Sequence, residues 1–175
     1  MSDSGHQAAP QPVSDEQVEQ LYLQYGNDVL RVSYFYLGNR QQAEDVTQDV
    51  FVRLFETRPT LIEGSEKAWL LKVALNRCRD FWRSSWHKRV LLGSKKLDII
   101  PDDDKLDQRL EKEALMQAVN ALPAPEKEVF LLFYYQGLST QETAAVLGTP
   151  EGTVSSRLSR GRQKLKQFLD GGEEP

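Results

Sequence analysis

Apolar side chains recur every three or four residues through almost the whole chain, a period that leaves room for little except helices. No run of alternating β-branched residues offers a strand. Ser14 predicts an N-cap for a helix entering at Asp15, with Glu16 in its first turn. The pattern continues through Leu21, Val29, Leu30, Val32, Phe35 and Leu37 until Gly38-Asn39 stops it. A second helix spans about Gln41 to Glu56, a loop with Pro59 and Gly64 covers 57–65, and a third helix runs from Glu66 to about Trp86. Periodicity lapses from about Val90 to Asp107 and returns from Leu106 to Leu122. It resumes after Pro123 and Pro125 in a helix from Glu126 to Tyr135. The expected fold is all-α: two small helical domains, 14–89 and 108–170, joined by a flexible acidic linker at 90–107. A disordered leader at 1–13 and a tail at 171–175 complete it.

Hydrophobic residues make up 39% of 175, enough for two cores but thin ones. A net charge of −4 excludes a uniformly basic coat, so any polyanion must be met by local patches. Such patches exist. Between Lys67 and Lys96 nine basic residues face one acid, Asp80; between Glu151 and Asp170 five face two. The segment between them, Asp102 to Glu113, holds six acids against three basic residues.

Several function classes lose support on the same reading. The lone cysteine, Cys78, excludes an internal disulfide and suits a reducing compartment. No segment approaches the ~20 apolar residues of a membrane span. Met1 to Pro12 lacks the basic and apolar regions of a signal peptide. A cytoplasmic protein without membrane insertion is expected. His6 and His87 are isolated, and neither a phosphate-cradling glycine loop nor a nucleophile–base set occurs, so no catalysis, metal or cofactor is expected.

Ser139-Thr140-Gln141-Glu142 has the pattern of a capping box, and Gly148 closes the short helix that it opens. Thr149 then offers a cap and Pro150 a first helical position for a helix reaching about Phe168. Two helices joined by a short glycine turn form a helix-turn-helix. On the second, Val154, Leu158, Leu165 and Phe168 are core candidates. Ser155, Ser156, Ser159 and Arg160 are placed to reach base edges, and Thr153, Arg157 and Arg162 to reach phosphates. A solvated basic helix in an ordinary bundle would share this periodicity. The stretch from Leu122 to Lys166, with "EVFLL", "GLS", "ETAAVLG" and "GTVSSRLSRGRQKL", resembles region four of sigma factors, which reads the −35 promoter element. Thr143 stands where that family usually has isoleucine, and Ser155 where a basic residue is common.

On the third helix, Lys72, Asn76, Arg79 and Arg83 follow one another at i, i+4, i+7 and i+11, a narrow polar stripe at about 100° per residue. Three cations suit phosphates, and an amide can both donate to and accept from a base edge. An amphipathic helix wetting its cations would have the same stripe. Leu70, Ala74 and Phe81 lie opposite, flanked by Leu71, Leu75, Cys78 and Trp82. "AWLLKVALNRCRDFWR" is similar to region two of the small extracytoplasmic-function class of sigma factors. The resemblance implies that this helix reads the single-stranded −10 element through Asn76, and that the 57–65 loop holds a flipped-out nucleotide. Trp82 and Trp86 could stack on bases, although Trp82 falls on the apolar face.

The second helix covers one broad face with Ala43, Val46, Val50, Phe51, Leu54 and Phe55, leaving Val52 among Asp45, Gln48, Asp49 and Glu56. "AEDVTQDVFVRLFE" resembles the family's surface for the clamp helices of the polymerase's largest subunit. The implied partners are core RNA polymerase, through those clamp helices and the flap, promoter DNA, and an anti-sigma factor. Two other readings stay open: a sigma-like mimic that has lost DNA binding, and a helix-turn-helix repressor with a helical effector domain.

Overall fold

The computed structural model describes residues 9–92 and 106–171, with side chains for 9–84 and 114–171. Among the described residues every element is helical. They are α1 (Asp15–Leu37), α2 (Arg40–Thr57), α3 (Glu66–Leu92), α4 (Leu106–Ala121), α5 (Ala124–Phe130), a π-helical turn (Leu131–Tyr135), α6 (Thr140–Leu147) and α7 (Glu151–Asp170). The 90–107 linker lies outside the described residues except at its ends, which belong to α3 and α4. The side chains of the acidic run Asp102 to Glu113 lie outside them altogether.

Local chemistry sets the first bundle. Ser14 Oγ accepts from the Gln17 amide at 3.2 Å, while the Ser14 amide donates to Gln17 Oε1 at 2.9 Å, a reciprocal capping box. Val13 and Val18 occupy the two positions of a hydrophobic staple and both pack into the bundle core. The Val13 amide also donates to Pro59 O at 3.2 Å. Val13, expected in a disordered leader, is therefore structural. Gly38, at φ 68°, ends α1, and Asn39 Oδ1 caps α2 by accepting from the Gln42 amide at 3.0 Å. The faces so aligned bury Val29, Val32, Val50, Leu54, Leu70 and Leu75 between α1, α2 and α3. Each such side chain contributes about 1.5–3 kcal/mol by leaving water. Phe55 departs from expectation. It is 52% exposed, with the Arg58 guanidinium 4.6 Å from its ring centroid.

The second core gathers Ala118, Val119 and Leu122 of α4 with Val129 and Phe130 of α5, Ala144 of α6, and Val154, Leu158 and Leu165 of α7. Gly161 of α7 lies against the Phe130 ring so closely that a Cβ there would collide with it. Phe168, expected in this core, is 55% exposed instead. The single helix expected from Glu126 to Tyr135 starts two residues earlier and widens into the π-helical turn, closed by the Gln136 amide on Leu131 O at 3.0 Å. That turn has a long-range consequence. Leu132, Leu138 and Val146 join the core of the α1–α3 bundle, and α6 packs against α3. The two helical domains therefore touch directly.

Candidate nucleic-acid interface

Helix α3 turns most of the polar stripe away from the core because its other face is needed there. Leu70, Leu71, Ala74, Leu75 and Cys78 are buried, while Lys72, Asn76 and Arg83 are exposed. Burial pushes the Cys78 thiol up to about 12, so it stays protonated and behaves as a small apolar group. Arg79 is half-buried, and its Nη1 donates to Asn76 Oδ1 at 3.3 Å. Trp82 is half-buried against the same core, with Nε1 donating to Tyr36 O at 3.2 Å. The side chain of Trp86 lies outside the described residues.

The helix-turn-helix is built by α6 and α7. Ser139 Oγ accepts from the Glu142 amide at 3.0 Å, and Glu142 Oε2 accepts from the Ser139 amide at 3.2 Å. Gly148 takes the left-handed conformation, φ 63°, that a side chain would strain. The entry to α7 differs from expectation. Pro150 is itself the N-cap residue, Thr149 supplies no cap, and its buried Oγ1 has no partner. In place of a cap, Thr140 Oγ1 donates to Glu151 Oε1 at 2.8 Å and ties α6 to the first turn of α7. Thr143 is fully buried with its hydroxyl unpartnered, a polar atom where isoleucine would be apolar.

On α7, Ser155, Ser156, Ser159, Arg160 and Arg162 are exposed, while Thr153 and Arg157 are half-buried. Ser155 Oγ and Ser156 Oγ donate back to Glu151 O and Gly152 O, at 3.3 and 2.9 Å. Arg162 Nε donates to Tyr134 Oη at 2.5 Å. Arg160 Nε lies 3.9 Å from Glu126 Oε1, to which Lys164 Nζ donates at 3.1 Å.

On α2, Asp45, Gln48, Asp49, Val52 and Glu56 are all exposed, and the solvent-facing Phe55 enlarges the apolar spot around Val52. Asp49 Oδ2 accepts from Arg77 Nη2 at 2.5 Å, which holds this surface against α3. Exposed Tyr22 and Leu23 add apolar area on α1.

Between the two domains lies a contact that no periodicity announces. Glu128 of α5, 7% exposed in its side chain, accepts from Arg79 Nε and Nη2 at 2.8 and 2.7 Å, and from Tyr36 Oη at 3.2 Å. The Glu128 bonds hold the guanidinium above even its usual high value, against its burial. Burial first, then the Glu128 charge, push the Tyr36 hydroxyl up to about 12. Lys67 Nζ donates to Gln136 O at 2.9 Å, and the Phe35 and Tyr135 rings meet edge-on at 4.9 Å. Beside this seam opens a cavity of about 580 Å³, whose lining includes Arg79, Arg83 and Trp82 of α3 and Arg157 of α7.

Family models match this architecture in order: Sigma-70 region 2 over residues 21–88 and Sigma-70, region 4 over residues 112–165. The ECF RNA polymerase sigma factor SigL of Mycobacterium tuberculosis is 33% identical over 155 residues, covering 85% of this chain and 86% of that protein. The ECF RNA polymerase sigma factor SigE of Mycolicibacterium smegmatis is 32% identical over 171 residues; the match covers 95% of this chain but only 65% of SigE. Among solved structures, CnrH in complex with the cytosolic domain of CnrY is 25% identical, with a TM-score of 0.69 over 91% of this chain and 92% of that one.

Proposed function

Since the chain belongs to the extracytoplasmic-function class of the sigma-70 family, we propose that it directs core RNA polymerase to promoters by reading their −35 and −10 elements. It acts as a cytoplasmic initiation factor that catalyses no reaction itself. One observation carries this reading: a single chain joins a bundle whose α3 exposes Lys72, Asn76 and Arg83 to a helix-turn-helix whose α7 exposes Ser155, Ser159 and Arg160.

In the downstream site, Lys72, Arg79 and Arg83 meet phosphates while Asn76 reads a base, and the 57–65 loop holds a flipped-out nucleotide. In the upstream site, Ser155, Ser156, Ser159 and Arg160 reach base edges, and Thr153, Arg157 and Arg162 hold the backbone. Core polymerase docks its clamp helices on Asp45, Gln48, Asp49, Val52 and Glu56 of α2, and its flap on the C-terminal domain. A protein partner, an anti-sigma factor, regulates the chain; CnrH, which shares the fold, is itself found in complex with the cytosolic domain of a second protein, CnrY.

Reconstituted run-off transcription tests the reading. Core polymerase plus the chain should start at defined sites that core alone ignores. Start-site selection without any effect of the chain refutes it, and duplex binding without polymerase favours a repressor.

A further inference from the structure

We propose that Tyr134, which lies outside the helix-turn-helix, belongs to the upstream DNA interface: its hydroxyl aims the Arg162 guanidinium at a backbone phosphate and donates its own proton to that phosphate. This rests on the proposed reading of α7 and adds a residue to it. Two stripes flank the outer face of α7. Thr153, Arg157 and Arg160 stand at i, i+4 and i+7 on one side, and Ser155, Ser159 and Arg162 at the same spacing on the other. A helix seated in the major groove has a phosphate backbone on either side of it. Thr153 and Arg157 face one backbone. On the other side Ser155 and Ser159 carry no charge, so Arg162, one turn beyond Ser159, is the stripe's cation for the second backbone.

Arg162 is held in a form suited to that contact. Its Nε donates to Tyr134 Oη at 2.5 Å, and its guanidinium carbon lies 5.5 Å from the centroid of the same ring. Only Nε is used, so both Nη groups remain to donate to a phosphate. The phenol oxygen acts as acceptor in this bond, which leaves its O–H free to donate as well. A long side chain already fixed in its binding geometry loses less rotamer entropy when the phosphate arrives. Tyr134 is fixed in its turn. Its ring lies 5.0 Å from Phe130, tilted, and 5.0 Å from Phe133, edge-on. Phe130 is buried against Gly161, the residue before Arg162, where a Cβ would collide with the ring. Tyr134 nevertheless joins neither core and stays 51% exposed. The π-helical turn Leu131–Tyr135 therefore presents it to solvent beside α7, and turns of this kind recur at functional sites.

The test uses holoenzyme on promoter duplexes, with affinity read by fluorescence anisotropy. Tyr134→Phe keeps the ring and its stacking but removes the hydroxyl. It should weaken binding about three- to tenfold, by the same factor on matched and mismatched −35 sequences. Arg162→Ala should weaken binding at least as much and lower the salt slope by about one. The double variant should lose less than the product of the two single losses, because the groups act on one phosphate. A neutral methylphosphonate walked along the −35 element should weaken the wild-type complex at one position above all. That loss should shrink in each single variant, which a merely structural role for Tyr134 would not produce. Fully multiplicative losses, or a methylphosphonate profile unchanged in Tyr134→Phe, overturn the proposal. So does a loss of affinity for core polymerase with DNA binding intact, which would make Tyr134 a protein contact instead. Matched and mismatched sequences bound alike by the wild-type holoenzyme would refute the reading of α7 itself, and this inference with it.

Discussion

Gly161 shows how one residue can fix the C-terminal domain. It lies on the buried face of α7 directly against Phe130, and an added Cβ would collide with the ring. Gly161→Ala should therefore destabilise the fold by about 1–3 kcal/mol, measured by denaturant unfolding. A neutral or stabilising effect would mean that the ring moves freely. Glu126 makes a second case. Burial alone would raise its carboxyl, but the Lys164 hydrogen bond, its own backbone and the Lys164 and Arg160 charges outweigh that and hold it below the usual carboxylate range. A depressed carboxylate stabilises the fold fully above its unfolded value and loses that contribution as pH falls through the folded one. Stability should thus decline as pH falls through and below the usual carboxylate range, and Lys164→Met should flatten that decline. An identical pH profile in the variant would remove Lys164 as the cause. Some residue-level features were legible because their signals are local: the N-cap at Ser14 and the capping box at Ser139 need only a few adjacent residues, although the Gln17 half of a box at Ser14 emerged only in the structure. Glu128 was not, because its partners Arg79 and Tyr36 lie 49 and 92 residues away.

At the scale of elements, period reveals which face of a helix is apolar but not whether a neighbour covers all of it. Phe55 and Phe168 sit at the margins of apolar stripes and emerge exposed. On α2 this enlarges the patch proposed for polymerase. Asp49 occupies that patch and pairs with Arg77, both about half exposed. The pair itself contributes ~0–1 kcal/mol, so the fold should survive its loss. Asp49→Arg should weaken binding to core polymerase by tenfold or more, about 1.4 kcal/mol, while helical content and melting change little. Unchanged affinity in a titration with core enzyme would place the docking surface elsewhere. The turn into α7 shows the other limit of local reading. Thr149-Pro150 has the composition of a cap followed by a first position, yet the helix begins one residue later and takes its support from Thr140 on α6. Such a support depends on how the two helices pack, which spacing within one helix does not encode.

The molecule as a whole is two helical domains on one chain, and it is at this scale that sequence was least informative. The two domains and their order followed from periodicity, charge and motif. Their contact did not, because the π-helical turn that holds Leu132, and the loop after it that holds Leu138, carry no distinctive residue pattern. The central claim, that α3 and α7 each read a separate promoter element, is tested most directly by selecting promoters from a randomised library with the holoenzyme. The account predicts two enriched blocks: Asn76→Ala should relax the downstream block alone, and Arg160→Ala the upstream one at one or two positions, by about 1–3 kcal/mol. Wild-type selectivity in both variants, or a single enriched block, would contradict it.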